Sequence, residues 1–123
     1  MSVNETTGSI FREQRAAKNQ SLFREINERI EPLNKSFTWI NRLNDFVCEC
    51  AVETCSDAVQ MSVEEYESVR QHPARFFVAA DDDHVWPDVE RILEKFDRYW
   101  IVEKHGYSGS MAAKLDPRSR QTP

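Results

Sequence analysis

Phe46-Val47-Cys48-Glu49-Cys50-Ala51-Val52-Glu53-Thr54-Cys55 holds every cysteine of a 123-residue chain. Phe46 to Ala51 is a β-compatible run, and because side chains alternate across a strand, Cys48 and Cys50 share one face. Val52 to Asp57 reads as a turn carrying Cys55, and Ala58-Val59-Gln60-Met61 returns as the second arm of a hairpin. Sulfurs gathered so closely in an otherwise cysteine-free chain point to one local task, for which a Zn²⁺ ion is the leading candidate. Zinc prefers thiolate and imidazole ligands in a tetrahedron, and a closed structural site takes four protein ligands. The spacing C-x-C-x4-C supplies three.

The fourth has to come from elsewhere, and the chain has only three histidines, His72, His84 and His105. His84 lies in a loop just after the strand expected to neighbour the cysteine hairpin, so its ring can turn inward without breaking a ladder. His72 sits at a helix end beside Pro73, and His105 begins the C-terminal tail. The metal set read from the sequence is therefore Cys48, Cys50, Cys55 and His84. The competing readings are three small buried apolar side chains, a redox thiol, or an iron–sulfur cluster, which three cysteines serve poorly.

Around this segment the pattern is α+β. Leu22, Phe23, Ile26, Ile30 and Leu33 recur at three and four residues, predicting a long N-terminal amphipathic helix that either begins near Ile10 and runs into Pro32 or is broken near Asn19 to Ser21, and whose stripe packs on the protein's own sheet or whose upstream half projects to bind a partner helix. Phe37 to Ile40 reads as a short strand. Ser62 with Glu65 is a capping box opening a short helix that Pro73 ends. Arg75 to Ala80 is a buried strand and Asp81 to His84 a loop. Pro87 opens a second short helix carrying Val89, Ile92, Leu93 and Phe96, and Tyr99 to Val102 is the last strand, completing a small antiparallel sheet. The expected organisation is a partly helical extension over residues 1–18, a single metal-binding domain over 19–104, and a mobile polar tail over 105–123.

Charge narrows the function. Glu49 to Glu94 carries twelve acidic residues against Arg70, Arg75 and Arg91, a balance that repels a phosphate backbone and makes direct nucleic-acid binding through this region unfavourable. No apolar run approaches the roughly 20 residues a membrane span needs, and no export signal opens the sequence, so the expected location is cytoplasmic. A reducing compartment and an odd thiol count both disfavour a disulfide. No phosphate-cradling glycine loop and no nucleophile motif is present. Asp81-Asp82-Asp83 lacks the spacing of a calcium loop and reads as a solvated turn.

NQSLFREINERI (Asn19 to Ile30), FVCEC (Phe46 to Cys50) with Cys55, VEEYESVR (Val63 to Arg70), RFFV (Arg75 to Val78), His84, and RYWIVEK (Arg98 to Lys104) resemble a family of small, largely uncharacterised bacterial proteins, mainly actinobacterial. The resemblance implies the same order of three cysteines and a histidine, which favours His84. The three aspartates before that histidine depart from the Pro-Gly turn more usual there. It implies no activity.

The function expected from the sequence is a non-enzymatic, zinc-structured protein that binds a protein partner as a regulator or adaptor, for instance on the transcription or translation machinery. Phe11, Arg15, Phe23, Tyr107 and Arg118 are its expected contacts. The alternative is a thiol- or metal-responsive redox sensor. A third reading, a zinc-dependent hydrolase, puts water in the fourth position with Glu49 or Glu53 as base.

Overall fold

A computed structural model of the protein describes the backbone of residues 3–121 and the side chains of residues 11–106 and 108–119. The chain forms helix α1 (Val3–Lys35), strands β1 (Asn44–Val47) and β2 (Ala58–Met61), helix α2 (Val63–Arg70) and strand β3 (Arg75–Val78). A 3-10 turn (Asp82–His84), strands β4 (Glu90–Lys95) and β5 (Trp100–Lys104), helix α3 (Gly106–Leu115) and a closing 3-10 turn (Pro117–Gln121) follow. The fold is α+β, with β1 and β2 as one antiparallel hairpin and β3, β5, β4 in that order as an antiparallel sheet.

The apolar core lies between hairpin and sheet. Phe46 stacks on Tyr66 with ring centroids 4.6 Å apart, and both meet Phe77 edge-on. Met61, Val69, Phe76, Val78 and Val102 complete it, all fully buried or nearly so. The capping box forms as expected: Ser62 accepts from the Glu65 N–H at 3.0 Å, and the Glu65 carboxylate accepts from the Ser62 N–H at 2.8 Å. It aims α2 so that Tyr66 and Val69 reach this core.

Helix α1 buries only part of the stripe its sequence suggests, with Phe23 buried and Ile30 packed against the core. Leu22, Ile26 and Leu33 face solvent, whereas Gln20, Arg24, Asn27 and Glu31 are buried. The buried polar groups find partners on the backbone of the cysteine segment. Asn34 donates to the Asp45 carbonyl, Asn27 to that of Val47, Gln20 to that of Glu49 and Asn19 to that of Ala51. Asn27 also accepts from the Val47 N–H at 2.7 Å, so its amide mimics a neighbouring strand. Arg24 pairs with Glu49 at 3.0 Å, donates to the carbonyls of Pro73 and Arg75, and lies 3.9 Å over the Phe76 ring. Part of the apolar stripe was misassigned because hydrophobic periodicity does not register a polar face whose amides and guanidinium find partners inside, even though Gln20 Oε1 and Glu31 Oε2 are buried without one.

Three further expectations are corrected. Phe37 to Ile40 is not a strand: successive turns bond the Phe37 N–H to Asn34 and the Ile40 N–H to Phe37, leaving Phe37, Trp39 and Ile40 exposed. Pro87 opens no helix. A turn at 86–89 leads into β4, whose register on β5 shifts between Ile92 and Glu94. That irregularity breaks the strict alternation of a strand and makes the spacing of Val89, Ile92, Leu93 and Phe96 look helical.

Residues 1–18 and 105–123 do not stand apart from the domain either. Helix α1 runs unbroken from Val3, with Ala16 and Ala17 buried. Gly106, at φ 60°, takes a left-handed turn that other residues resist, and the chain enters α3. The segment beyond α3 is tied down by charge. Asp116 receives two hydrogen bonds from buried Arg70, at 3.0 and 2.6 Å, and Arg118 pairs with Glu28 and Glu67.

In that cluster burial alone would raise the Glu28 carboxyl, but hydrogen bonds from Arg118, Tyr66 and Arg70 hold it down at about 2. Glu31 goes the other way. Burial and then the neighbouring Glu67 carboxylate push it up to about 7.

Two outcomes are expected. Glu49→Gln strands the Arg24 charge and should cost about 3–5 kcal/mol in urea unfolding, whereas the double variant Arg24→Met, Glu49→Leu recovers most of that loss. For Glu31 the folded chain holds the proton more tightly than the unfolded chain. Its stabilisation is therefore complete below the ordinary value of 4.5 and disappears as pH rises through about 7. Glu31→Gln, locked in the neutral form, should raise the Tm relative to the parent above pH 7 and leave it unchanged at the acid end, as scanning calorimetry at both pH values would show.

Candidate metal centre

The cysteines lie in the ten-residue connection between β1 and β2, just beyond the strand in which the sequence placed them. One more ladder step, the Cys48 N–H to the Asp57 carbonyl at 2.9 Å, extends the hairpin. The chain then crosses to the other sheet, where the Glu49 N–H donates to the Phe77 carbonyl at 3.0 Å. Extended backbone across this bridge separates the side chains. The Glu49 carboxylate meets Arg24 and Asn27 of α1, while Cys48 and Cys50 project to a cluster with Cys55 and His84.

The ligand atoms of these four residues all lie within 4.8 Å of one another. The His84 Nδ1 is 3.6 Å from the sulfur of Cys48 and 3.6 Å from that of Cys55. An ion with zinc's bond lengths, about 2.3 Å to sulfur and about 2.0 Å to nitrogen, would place sulfur and nitrogen about 3.6 Å apart at two corners of a tetrahedron. The donor set and its spacing therefore fit a tetrahedral cation. Cys48 and Cys50 are sealed from solvent, and Cys55 and His84 are half-buried.

Each sulfur has a backbone donor. Cys48 accepts from the Ala79 N–H at 3.2 Å, Cys50 is bonded by the backbone of Val52, and Cys55 by that of Asp57. Such donors spread thiolate charge and hold the sulfurs in place. The titrations follow from crowding. A hydrogen bond from Cys48, opposed by burial and reinforced by His84 and Val52, brings the Cys50 thiol down to about 5. Its bond to Cys50 and then burial push Cys48 up, and burial pushes Cys55 up. Without a cation the trio holds a single thiolate. A divalent ion can take all three by displacing the two remaining protons.

His84 is oriented from behind. Its Nε2 lies 3.1 Å from the carboxylate of Asp57, an arrangement that fixes the tautomer with Nδ1 free to bind and strengthens the ring as a donor. The 3-10 turn at Asp82–His84 sets the ring's approach, its start capped by the Asp81 side chain accepting from the Asp83 N–H at 2.9 Å. Asp57 escaped the sequence reading because its role follows from the position of His84. The signal available was its place at the end of the cysteine loop.

The expected partner contacts divide. Phe11 is 60% exposed, and Arg15 is also exposed. Phe23 is buried against the body, and Arg118 is occupied by Glu28, Glu31 and Glu67, so both are corrected. The Tyr107 side chain lies outside the described residues. Among the described residues no helix is long and apolar enough to cross a membrane. Comparisons with family models, with curated proteins and with solved structures found no match.

Titration of the reduced protein with cobalt(II) is expected to give the charge-transfer absorption of thiolate ligation, weakened by Cys50→Ser and His84→Ala. Asp57→Asn, which touches no metal, should lower affinity by about 10–100-fold in competition with a chelator.

Proposed function

We propose that this protein is a non-enzymatic adaptor or regulator, braced by Zn²⁺ at Cys48, Cys50, Cys55 and His84, that holds a partner protein on the outward face of α1 and the turns that follow it. The observation that carries this reading is the apolar surface left outside. Leu22 is 57% exposed, Leu33 64% and Trp39 81%, with Ile26, Phe37, Ile40 and Leu43 beside them in sequence. Exposed single hydrophobes are ordinary, but a helical stripe running into an exposed tryptophan in a small domain is the usual mark of an interaction surface. The fold had polar residues available for that side of α1 and buried them instead.

Zinc suits the chemistry of the donors, three sulfurs and an imidazole at tetrahedral spacing. Four protein ligands satisfy such an ion without leaving a coordination position for substrate, which supports a structural role over a hydrolytic one. A small domain with polar helix packing gains folding free energy from a metal that joins β1, the turn before His84 and the bridge to β3. The acidic stretch from Glu49 to Glu94 suits docking beside the basic surfaces of transcription or translation machinery.

Zinc-loaded protein crosslinked in native extract is expected to capture a defined partner. The double variant Leu22→Asp, Trp39→Ala should lose it while keeping the parent's Tm and metal content. Capture unchanged by that variant would reject this face as the docking surface.

A further inference from the structure

The arginines whose side chains the structure describes divide into two groups. Arg12, Arg24, Arg70, Arg75, Arg91, Arg98 and Arg118 each form an ion pair with a carboxylate. Among the described residues Arg15, Arg29 and Arg42 form none, and all three are exposed. For a molecule of net charge −5, with carboxylates in excess, leaving these three without one is unexpected. They lie on α1 and the segment just after it, the part of the chain that carries the exposed apolar residues.

Helical geometry shows how closely the two sets are mixed. At 100° per residue Arg15 projects about 20° to one side of Leu22 and Arg29 about 20° to the other, with Ile26 about 40° and Leu33 about 20° away. Arg15 thus stands inside the apolar stripe, and Arg29 at its Leu22 edge in line with Phe11. From Phe11 to Leu33 the stripe is about 33 Å long at 1.5 Å per residue, the length of a partner helix of similar size.

We infer that the outward face of α1 receives an acidic amphipathic helix of a partner protein, whose apolar side chains lie against Leu22, Ile26 and Leu33 while its carboxylates meet Arg15 and Arg29. This rests on the reading of that face as a protein-docking surface and adds the chemistry of the occupant. A lipid bilayer fits less well, because interfacial helices keep their cations at the border where they can reach headgroups, and here Arg15, in line with Leu33, would be pressed into the acyl layer. A second copy of this chain would bring Arg15, Lys18 and Arg29 against their own kind, a like-charge register that destabilises paired helices. Nucleic acid offers phosphates to the arginines and nothing to the leucines between them. A helix bearing both Leu-type and Asp/Glu side chains satisfies every exposed group on the stripe.

The test uses the zinc-loaded full chain and two fluorescent helical peptides, one with leucines at three- and four-residue spacing and glutamates around them, the other with every glutamate replaced by lysine. Anisotropy is expected to show the acidic peptide binding at least about tenfold more tightly than the basic one, with affinity falling as salt is added. Leu22→Asp should abolish binding, and Arg29→Glu should weaken the acidic peptide about tenfold while improving the basic one. Preference for the basic peptide, lost in Leu22→Asp, overturns the acidic assignment and leaves the docking face standing. Acidic-peptide binding untouched by Leu22→Asp overturns the face itself. Sedimentation of the protein with phosphatidylserine vesicles in the absence of peptide binding, or a dimer that Leu22→Asp dissociates, overturns the inference in favour of a bilayer or a second copy.

Discussion

Arg24 and Glu49 meet with neither side chain more than 1% exposed, and the arrangement of the molecule follows from that contact. Glu49 sits between the two closest cysteines, so the residue that anchors α1 also sets which way Cys48 and Cys50 point. A buried pair of this kind has little advantage in energy over two well-packed apolar side chains, because desolvating the ions offsets most of their attraction. Its effect is on register. An apolar stripe can slide along a sheet by a turn at modest cost, whereas moving Arg24 by one turn would strand a guanidinium away from Glu49, the carbonyls of Pro73 and Arg75, and the Phe76 ring.

The same logic runs along the helix. Asn34, Asn27, Gln20 and Asn19 address the carbonyls of Asp45, Val47, Glu49 and Ala51. Alternate carbonyls of an extended chain point the same way, so side-chain amides at these intervals let the helix serve as the missing neighbour of an edge that would otherwise seek another strand. Glu90 and Lys104, both fully buried in side chain, extend this polar seam toward the second sheet, with Gln20 donating to Glu90 at 2.8 Å. Satisfying so many groups through α1 leaves Leu22, Ile26 and Leu33 without a place inside, while Ala16, Ala17 and Phe23 stay buried.

Those features mark what the sequence discloses. The capping box of Ser62 and Glu65, the β3 run of Phe76 and Phe77, and the gathering of thiols near a histidine were legible because each depends on residues adjacent in sequence or on donor types with few alternatives. The orientation of α1 was not, since Arg24 and Asn27 look like solvent-facing residues until Glu49 and the Val47 backbone are seen opposite them. Strand β4 was obscured by the register shift at Ile92 and Glu94, and the docking of the C-terminal segment by its dependence on Arg70 and Glu28, far away in sequence. Local chemistry was readable, and pairings of distant charges were not.

The bridge from Cys48 to Cys50 also joins the candidate metal site to the inward face of α1. One side of those residues offers sulfur to the candidate metal site, and the other supplies Glu49 and two backbone carbonyls to the helix. The backbone between them is held by Phe77 at Glu49 and by Ala79 at the Cys48 sulfur. If the thiolates lost their cation, their mutual repulsion would be relieved by reprotonation or by spreading apart, and spreading would move the carbonyl positions that Asn27 and Gln20 read. Reprotonation leaves the sulfurs uncharged and weakens the N–H bonds that hold the loop to β3. By either route the seat of α1 loosens, so a metal on the inner side helps to keep the exposed stripe rigid, and a rigid stripe loses less conformational entropy when it binds.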